Sequence, residues 1–407
     1  MVEEEQLLGP FDPLAPAVLA DPYPYYRWLQ EHDPVHWGKA GDPTAPGCWY
    51  ITRYADVVTA LKEPRLGREI WRIQPETAQS GDPIMLDLAQ QWMVLRDPPA
   101  HTRLRSLVQR AFTPRMIEQL RPRMVRIVND LLAKVADAGT MEVLRDFAQP
   151  LPVIVIAELL GVPPAEQTLF LPWSRALAAV IEFEQSEAVR TAGKRAVVEM
   201  ADYLRRIIDQ RRRQPQADLI SALIAVEEEG RRPSEAELIG TITQLLFGGN
   251  EPVLHLIGNG LLALLHHPDQ FAAWQQNAAL TDTAIDELMR YDSSVQMTFR
   301  HALADVYLGG KTIRQGDPVA IVFGAANRDP HQFPASEQLD LARMPNRHLS
   351  LGVGIHYCIG AALAKAEASA AFAGLLHRLP DLALLPGELQ WRRAVAVRGL
   401  TELRVIF

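Results

Sequence analysis

Across most of the chain, apolar residues recur every three or four positions, the spacing of helices with one buried face. Asp21 to His32 reads as an amphipathic helix opening after Pro22 and Pro24, and Asp56 to Lys62 as a shorter one. From Arg115 to Gly230 the pattern stays helical, with breaks at Gly139-Thr140, at Val162-Pro163-Pro164 and around Pro215. The longest periodic stretch, Ser234 to His267, begins with a capping box in Ser234 and Glu237. Further helices are predicted over Thr281 to Tyr291 and, rich in small residues, over Ala361 to Ala371. Strand text is sparse: CWYIT at Cys48 to Thr52, short runs with Gly-rich turns between Val295 and Pro330, and a closing hairpin in RGLTELRVIF. No Gly/Ser-rich linker divides the chain. The pattern predicts a mainly α (α+β) fold in one domain, 1–407.

Two places break the pattern. Between Pro64 and Trp92 periodicity fades while Pro, Gly and Asp gather. Loops of that length in compact domains are commonly lids or binding loops. Its apolar members, Ile84, Met85 and Leu86, are expected either to touch a substrate or to anchor the loop. In the middle of the long helix stand Gly248, Gly249 and Pro252, where Gly costs ~1 kcal/mol and Pro ~3 kcal/mol. Either this helix crosses something that needs room, or two helices meet there at a kink. Pro252 has no N–H, so the Gly248 carbonyl loses its helical partner and must be met by water, a side chain or a ligand.

With 407 residues, 48% of them hydrophobic, the chain can bury a large core, and a formal net charge of −8 argues against a nucleic-acid partner. Cys48 and Cys358 are the two cysteines, which excludes a disulfide framework and fits a reducing compartment. The first residues, MVEEEQLLGP, are acidic where a signal peptide is basic. The longest apolar run, Leu151 to Val162, is too short to cross a bilayer. A cytoplasmic protein without a membrane anchor is expected.

The chemistry concentrates in NRHLSLGVGIHYCIGAALAKAE, Asn346 to Glu367. A lone cysteine is commonly a buried small hydrophobe. Cys358 instead follows Gly352, Gly354 and His356, precedes Gly360, and stands at the mouth of a helix. There, unpaired N–H groups favour a thiolate, which acts as a metal ligand or a nucleophile. The stretch LGVGIHYCIG resembles the cysteine-ligand loop of the cytochrome P450 family, F-G-x-G-x-H-x-C-x-G, at every position but the first, where Leu351 replaces phenylalanine.

Other landmarks follow in the family's order, so the resemblance spans nearly the whole chain. His101 and Arg105, four apart on one helix face, are similar to the pair that binds the haem propionates. Arg300 resembles a third propionate ligand and His356 a fourth, with His348 a weaker candidate. Glu287 and Arg290 match E-x-x-R, and Arg343 is the expected third member of that ion network. Asn327-Arg328-Asp329-Pro330 also fits the family pattern. The long helix carries Gly248, Gly249, Asn250, Glu251 and Pro252 where the family has A-G-x-[DE]-T, so the acid is kept and the alcohol is gone.

The resemblance implies a cytochrome P450 fold, helix-rich with small β-sheets around a buried haem. It implies haem b with Cys358 as its iron ligand and Gly352 and Gly360 beside it. The implied activity is insertion of one oxygen atom from O2 into a mostly apolar small molecule, or another oxidation of it. Glu251, Gly248 and Asn250 are the expected proton-delivery positions. Phe247, Val295, Gln296 and Met297 are expected in the substrate pocket, Ala394 to Val397 near it, and Leu169 to Phe183 as its lid. A monomer receiving electrons from a ferredoxin and ferredoxin reductase follows, with Arg103, Arg110 and Arg115 forming a basic docking face. The missing threonine leaves two alternatives open: a haem-thiolate enzyme working by peroxide, dehydration or isomerisation, or a non-catalytic haem protein.

Leu351 takes the place of a ring that packs beside the cysteine in relatives, and such packing tunes metal ligands. A Leu351→Phe variant is therefore expected to differ from the natural protein in reduction potential by redox titration. Equal potentials would refute that role.

Overall fold

Residues 11–40, 47–74, 87–88, 90–181, 186–226 and 232–407 are described by the computed structural model. The long apolar stretch forms one unbroken helix, Glu235–His266, here called the central helix. Ser234 caps it, and both halves of the capping box with Glu237 are made. The reading of two separate helices therefore fails. Pro252 sits inside a continuous helix whose flanks, from Leu238 to Leu246 and from Val253 to Leu264, are largely buried. Around it pack Pro150–Leu159, Phe170–Ile181, Glu187–Arg213, Thr281–Tyr291 and Ala361–Arg378, the last here called the cysteine helix, and Pro114–Ala133 lies behind the cysteine helix and Pro150–Leu159. Their apolar faces join in one large core.

The strands occupy the margins of this helical body. A five-stranded sheet has the order β1 (Val35–Gly38), β2 (Cys48–Ile51), β8 (Pro318–Val322), β5 (Met297–Ala302), β3 (Leu66–Gly67). It is antiparallel except where β2 runs parallel to β8. β6 (Val306–Leu308) and β7 (Lys311–Ile313) form a two-stranded ribbon. The chain's last strand, β10 (Arg404–Ile406), is not half of a local hairpin. It lies between β4 (Thr140–Glu142) and β9 (Ala383–Leu384), antiparallel to both. The short β4, where a helix break alone was predicted, exists because a distant strand supplies its hydrogen bonds.

The loop before Cys358 is fixed from below. Glu287 and Arg290, both wholly buried, form a two-pronged pair of 2.7 and 2.8 Å. Arg343 adds bonds of 3.2 and 3.1 Å to the same carboxylate, Asn346 one of 3.1 Å, and the Asp340 N–H one of 2.9 Å. Arg290 in turn donates to the carbonyls of Asn327, Ser336 and Gln338. The Asn327 side chain accepts from the Leu349 N–H and donates to Ser293 and Ser350. A dry carboxylate with every lone pair engaged thus ties the helix Thr281–Tyr291 to the start of the cysteine loop.

Removing one partner of such a network strands the others without water, at a cost of ~3–5 kcal/mol. Glu287→Gln is expected to lower the thermal unfolding temperature, measured by circular dichroism, far more than Glu337→Gln on the surface. Equal effects of the two changes would contradict the structural role.

Candidate functional site

A cavity of about 380 Å3 lies between the central helix, the cysteine loop and strand β5. Apolar side chains make most of its wall, among them Leu245, Phe247, Val253, Leu256, Val295 and Leu363. Gly352, Cys358 and Gly360 line it too. Gly352 and Gly354 have φ of 70° and 81°, a left-handed backbone that costs other residues energy, and they fold the loop tightly ahead of the thiol. The Cys358 N–H donates to the Leu351 carbonyl at 2.8 Å, so the unusual Leu351 is bonded through its backbone to the cysteine.

The thiol is not acidified in the protein alone. Burial pushes it up, and the Gly360 N–H and Arg105 only partly pull it back. The helix mouth, expected to favour the thiolate, is outweighed by desolvation. A coordinated metal cation would reverse that balance, since coordination deprotonates a thiol.

A basic cluster shares the cavity. His101 and His356 stand ring to ring, 4.2 Å between centroids. Arg105 donates to the Tyr357 carbonyl at 2.7 Å, and Arg300 to the Phe299 carbonyl at 2.9 Å. Burial first, then Arg105, lowers His101 to about 4. Burial, Arg300, His101, Arg68 and Arg105 lower His356 to about 2. Burial lowers Arg300 to about 10, with Asp97 opposing. Both ring nitrogens of His101 are buried without a hydrogen-bond partner. Positive groups that repel one another around orphaned donors make a site for anions. A soft sulfur, apolar walls and a basic cluster able to hold carboxylates fit a flat, dicarboxylated metal macrocycle.

The central helix meets the cavity with one face. Gly248, Gly249, Pro252, Val253 and Leu256 line it, and a side chain at Gly248 would meet nothing within 4 Å. Asn250 and Glu251, expected beside them, point elsewhere, because consecutive helical residues turn by about 100°. Asn250 donates to Ser174 at 2.6 Å. Glu251 accepts from Arg392 at 2.7 Å and lies 3.5 Å from His255. Burial opposes its ionisation, but His255 and Arg392 outweigh burial and hold the carboxyl below its usual range.

Other expectations divide similarly. Phe247 and Val295 line the cavity, whereas Gln296 and Met297 do not. Strand alternation explains Met297: Thr298 and Arg300 face the cavity, so Met297 joins the opposite core with Phe11 and Val395. Gln296 precedes the strand, and its side chain bonds to the Ser293 carbonyl instead. Val395 is likewise buried away from the cavity, and none of Ala394 to Val397 lines it. His348 turns to Asp286, 3.4 Å away. Phe170 and Trp173 pack against Tyr203 rather than over the cavity. Arg103 is ion-paired with Glu237, which removes it from a free basic face. Ile84, Met85 and Leu86 lie outside the described residues.

Two charged cavity residues had no role in the sequence reading. Arg68 lies in a stretch without periodicity. Glu367, on the cysteine helix, is wholly buried with neither oxygen bonded, and burial holds its carboxyl well above the usual range. A glutamate among alanines was a visible signal of something unusual. Among the described residues, no helix is long and apolar enough to cross a membrane.

Residues 180–380 match the family described as Cytochrome P450. The polyketide biosynthesis cytochrome P450 PksS of Bacillus subtilis (strain 168) is 39% identical over 95% of this chain and 95% of its own. Its solved structure superposes with a TM-score of 0.89 at 38% identity, covering 97% of this chain and 99% of that one. The monooxygenase PikC of Streptomyces venezuelae is 39% identical over 95% of this chain and 91% of its own. P450BioI, solved with an acyl carrier protein bearing hexadec-9Z-enoic acid, gives a TM-score of 0.86 at 36% identity, covering 96% of this chain and 99% of that one. Similarity of this extent, with a cysteine, a basic cluster and a glycine-faced helix around one cavity, makes the chain a member of the cytochrome P450 family, whose members are haem monooxygenases.

Proposed function

We propose that the protein is a haem b monooxygenase acting on a mostly apolar small molecule, with electrons from a ferredoxin and its reductase. The observation that carries this reading is the shared cavity: Cys358 and the basic cluster stand where a haem would be held, and the apolar walls continue beside them. Cys358 would ligate the iron, and Arg105, Arg300, His101 and His356 would hold the carboxylates. The bound haem supplies oxygen activation and electron donation through its thiolate. The relatives named for polyketide biosynthesis or solved with a fatty acyl group support an apolar substrate class. Arg110 and Arg115 remain the candidates for partner docking.

The protein's own contribution to proton handling begins at Gly248. Its carbonyl cannot bond to Pro252, and the cavity around it is open. Water held at that oxygen takes over part of the work of the absent threonine hydroxyl. Glu251, whose carboxylate is engaged by Arg392 on the other side of the helix, serves that water only by exchanging this partner. A second reading, oxidation driven by peroxide, draws on the same two facts: Pro252 offers no hydroxyl, and Glu251 is turned away.

Product formed per electron consumed separates the readings. With a ferredoxin system, the natural protein is expected to couple electrons to product, and Arg392→Gln to change that coupling by loosening Glu251. If electrons drain to peroxide while added peroxide supports turnover as well or better, the second reading replaces the first.

A further inference from the structure

Arg68 follows strand β3 and is placed by its backbone. The Asp97 carboxylate accepts the Arg68 N–H at 3.0 and 2.9 Å and the Glu69 N–H at 3.0 Å. That fastens the Arg68 stretch to the residues leading into the helix Ala100–Ala111, which bears His101 and Arg105. The Arg68 side chain lines the cavity. Its Nη2 donates to the Thr298 hydroxyl at 2.6 Å, and Arg300 approaches the same oxygen at 3.3 Å. Its Nε is buried with no partner. Two guanidinium groups thus converge on one neutral oxygen, with donors to spare.

Burial and the neighbouring Arg300 both work against the charge of Arg68, and Asp97 offsets them only in part. Guanidinium groups stay protonated in proteins, so the cluster calls for more negative charge. Arg68, Arg105 and Arg300 all line the cavity, and a haem bound there would bring two carboxylates to meet them.

We propose that Arg68 is an additional positioning residue for the cofactor, gripping a haem carboxylate together with Arg300 from the Thr298 side. The assignment rests on haem occupying this cavity. Its planar fork suits a carboxylate. Asp97 orients it by holding backbone N–H groups, so changing the Arg68 side chain leaves that anchorage in place.

The test uses the haem-loaded protein with Arg68→Gln and Arg68→Lys, each checked for a thiolate-type carbon monoxide spectrum. Arg68→Gln is expected to release haem to apomyoglobin roughly tenfold faster, as for the loss of a hydrogen bond to a charged group. Its ferric/ferrous potential should fall, because a nearby positive charge favours the reduced iron. Arg68→Lys should restore the potential and only part of the retention. A purely structural role would leave the potential unmoved by restored charge. Unchanged haem release and potential in Arg68→Gln would overturn the proposal. So would weakened palmitate binding, read from the Soret band, beside unchanged haem properties, since the arginine would then serve a substrate acid. A natural protein lacking the thiolate-type spectrum would instead fault the cofactor reading itself.

Discussion

The buried carboxylate of Glu287 is the constraint on which the cysteine loop depends. It is wholly buried and reached by two arginines, an asparagine and a backbone N–H from two stretches of chain, its own helix and residues 340–346. A salt bridge in such a place is a poor source of net stability, because desolvation consumes most of its attraction. Its value is geometric: none of its members can move without leaving a charge uncompensated. Through Arg290 and Asn327 this rigidity reaches Leu349 and Ser350. The next residue, Leu351, holds the Cys358 N–H. The thiol's position is therefore inherited from an ion network that never touches the cavity.

The cavity itself is divided by chemistry. Apolar walls from the central helix and the cysteine helix enclose the sulfur, while strand β5 and the helix Ala100–Ala111 bring the cations. Because β5 alternates sides, Thr298 and Arg300 face inward together and Met297 is sent to a different core. The same separation operates along the central helix. Asn250, Glu251 and His255 are buried and take polar partners away from the cavity, leaving a glycine and proline face where space is needed. On this helix the polar side chains lie where partners exist, away from the cavity.

Much of this was legible in the letters. The helix Thr281–Tyr291 and the capped start of the central helix followed from periodicity, and the grouping of His101, Arg105, Arg300, His356 and Cys358 in one place from the resemblance to the family. What was not legible depended on direction or distance. Motif position places Glu251 near the cavity, but its side chain leaves on the next 100° of turn toward Arg392, a residue far along the chain. Met297 failed for the equivalent reason on a strand, and Gln296 because its amide is taken by the Ser293 carbonyl. Strand β4 needed the chain's end to exist. Arg68 lay in a stretch with no period, so nothing local marked it, and only the tertiary approach of Thr298 and Asp97 reveals its setting.

The unbroken course of the central helix across Gly248, Gly249 and Pro252 shows which energies prevail. Intrinsic propensity disfavours those residues by ~1, ~1 and ~3 kcal/mol. Burying a Leu, Ile or Val side chain contributes ~1.5–3 kcal/mol, and Val253, Leu254, Leu256, Ile257, Leu261 and Leu264 are all buried. A few such residues on the C-terminal side offset the local penalty, and the capping box secures the other end. Packing therefore keeps the helix continuous through a sequence whose own propensity disfavours it. One thing packing cannot supply is a donor for the Gly248 carbonyl, which Pro252 denies. That loss falls at Gly248, one of the residues with which the helix lines the cavity, so the local cost of Pro252 is borne beside the site and not within the packed core.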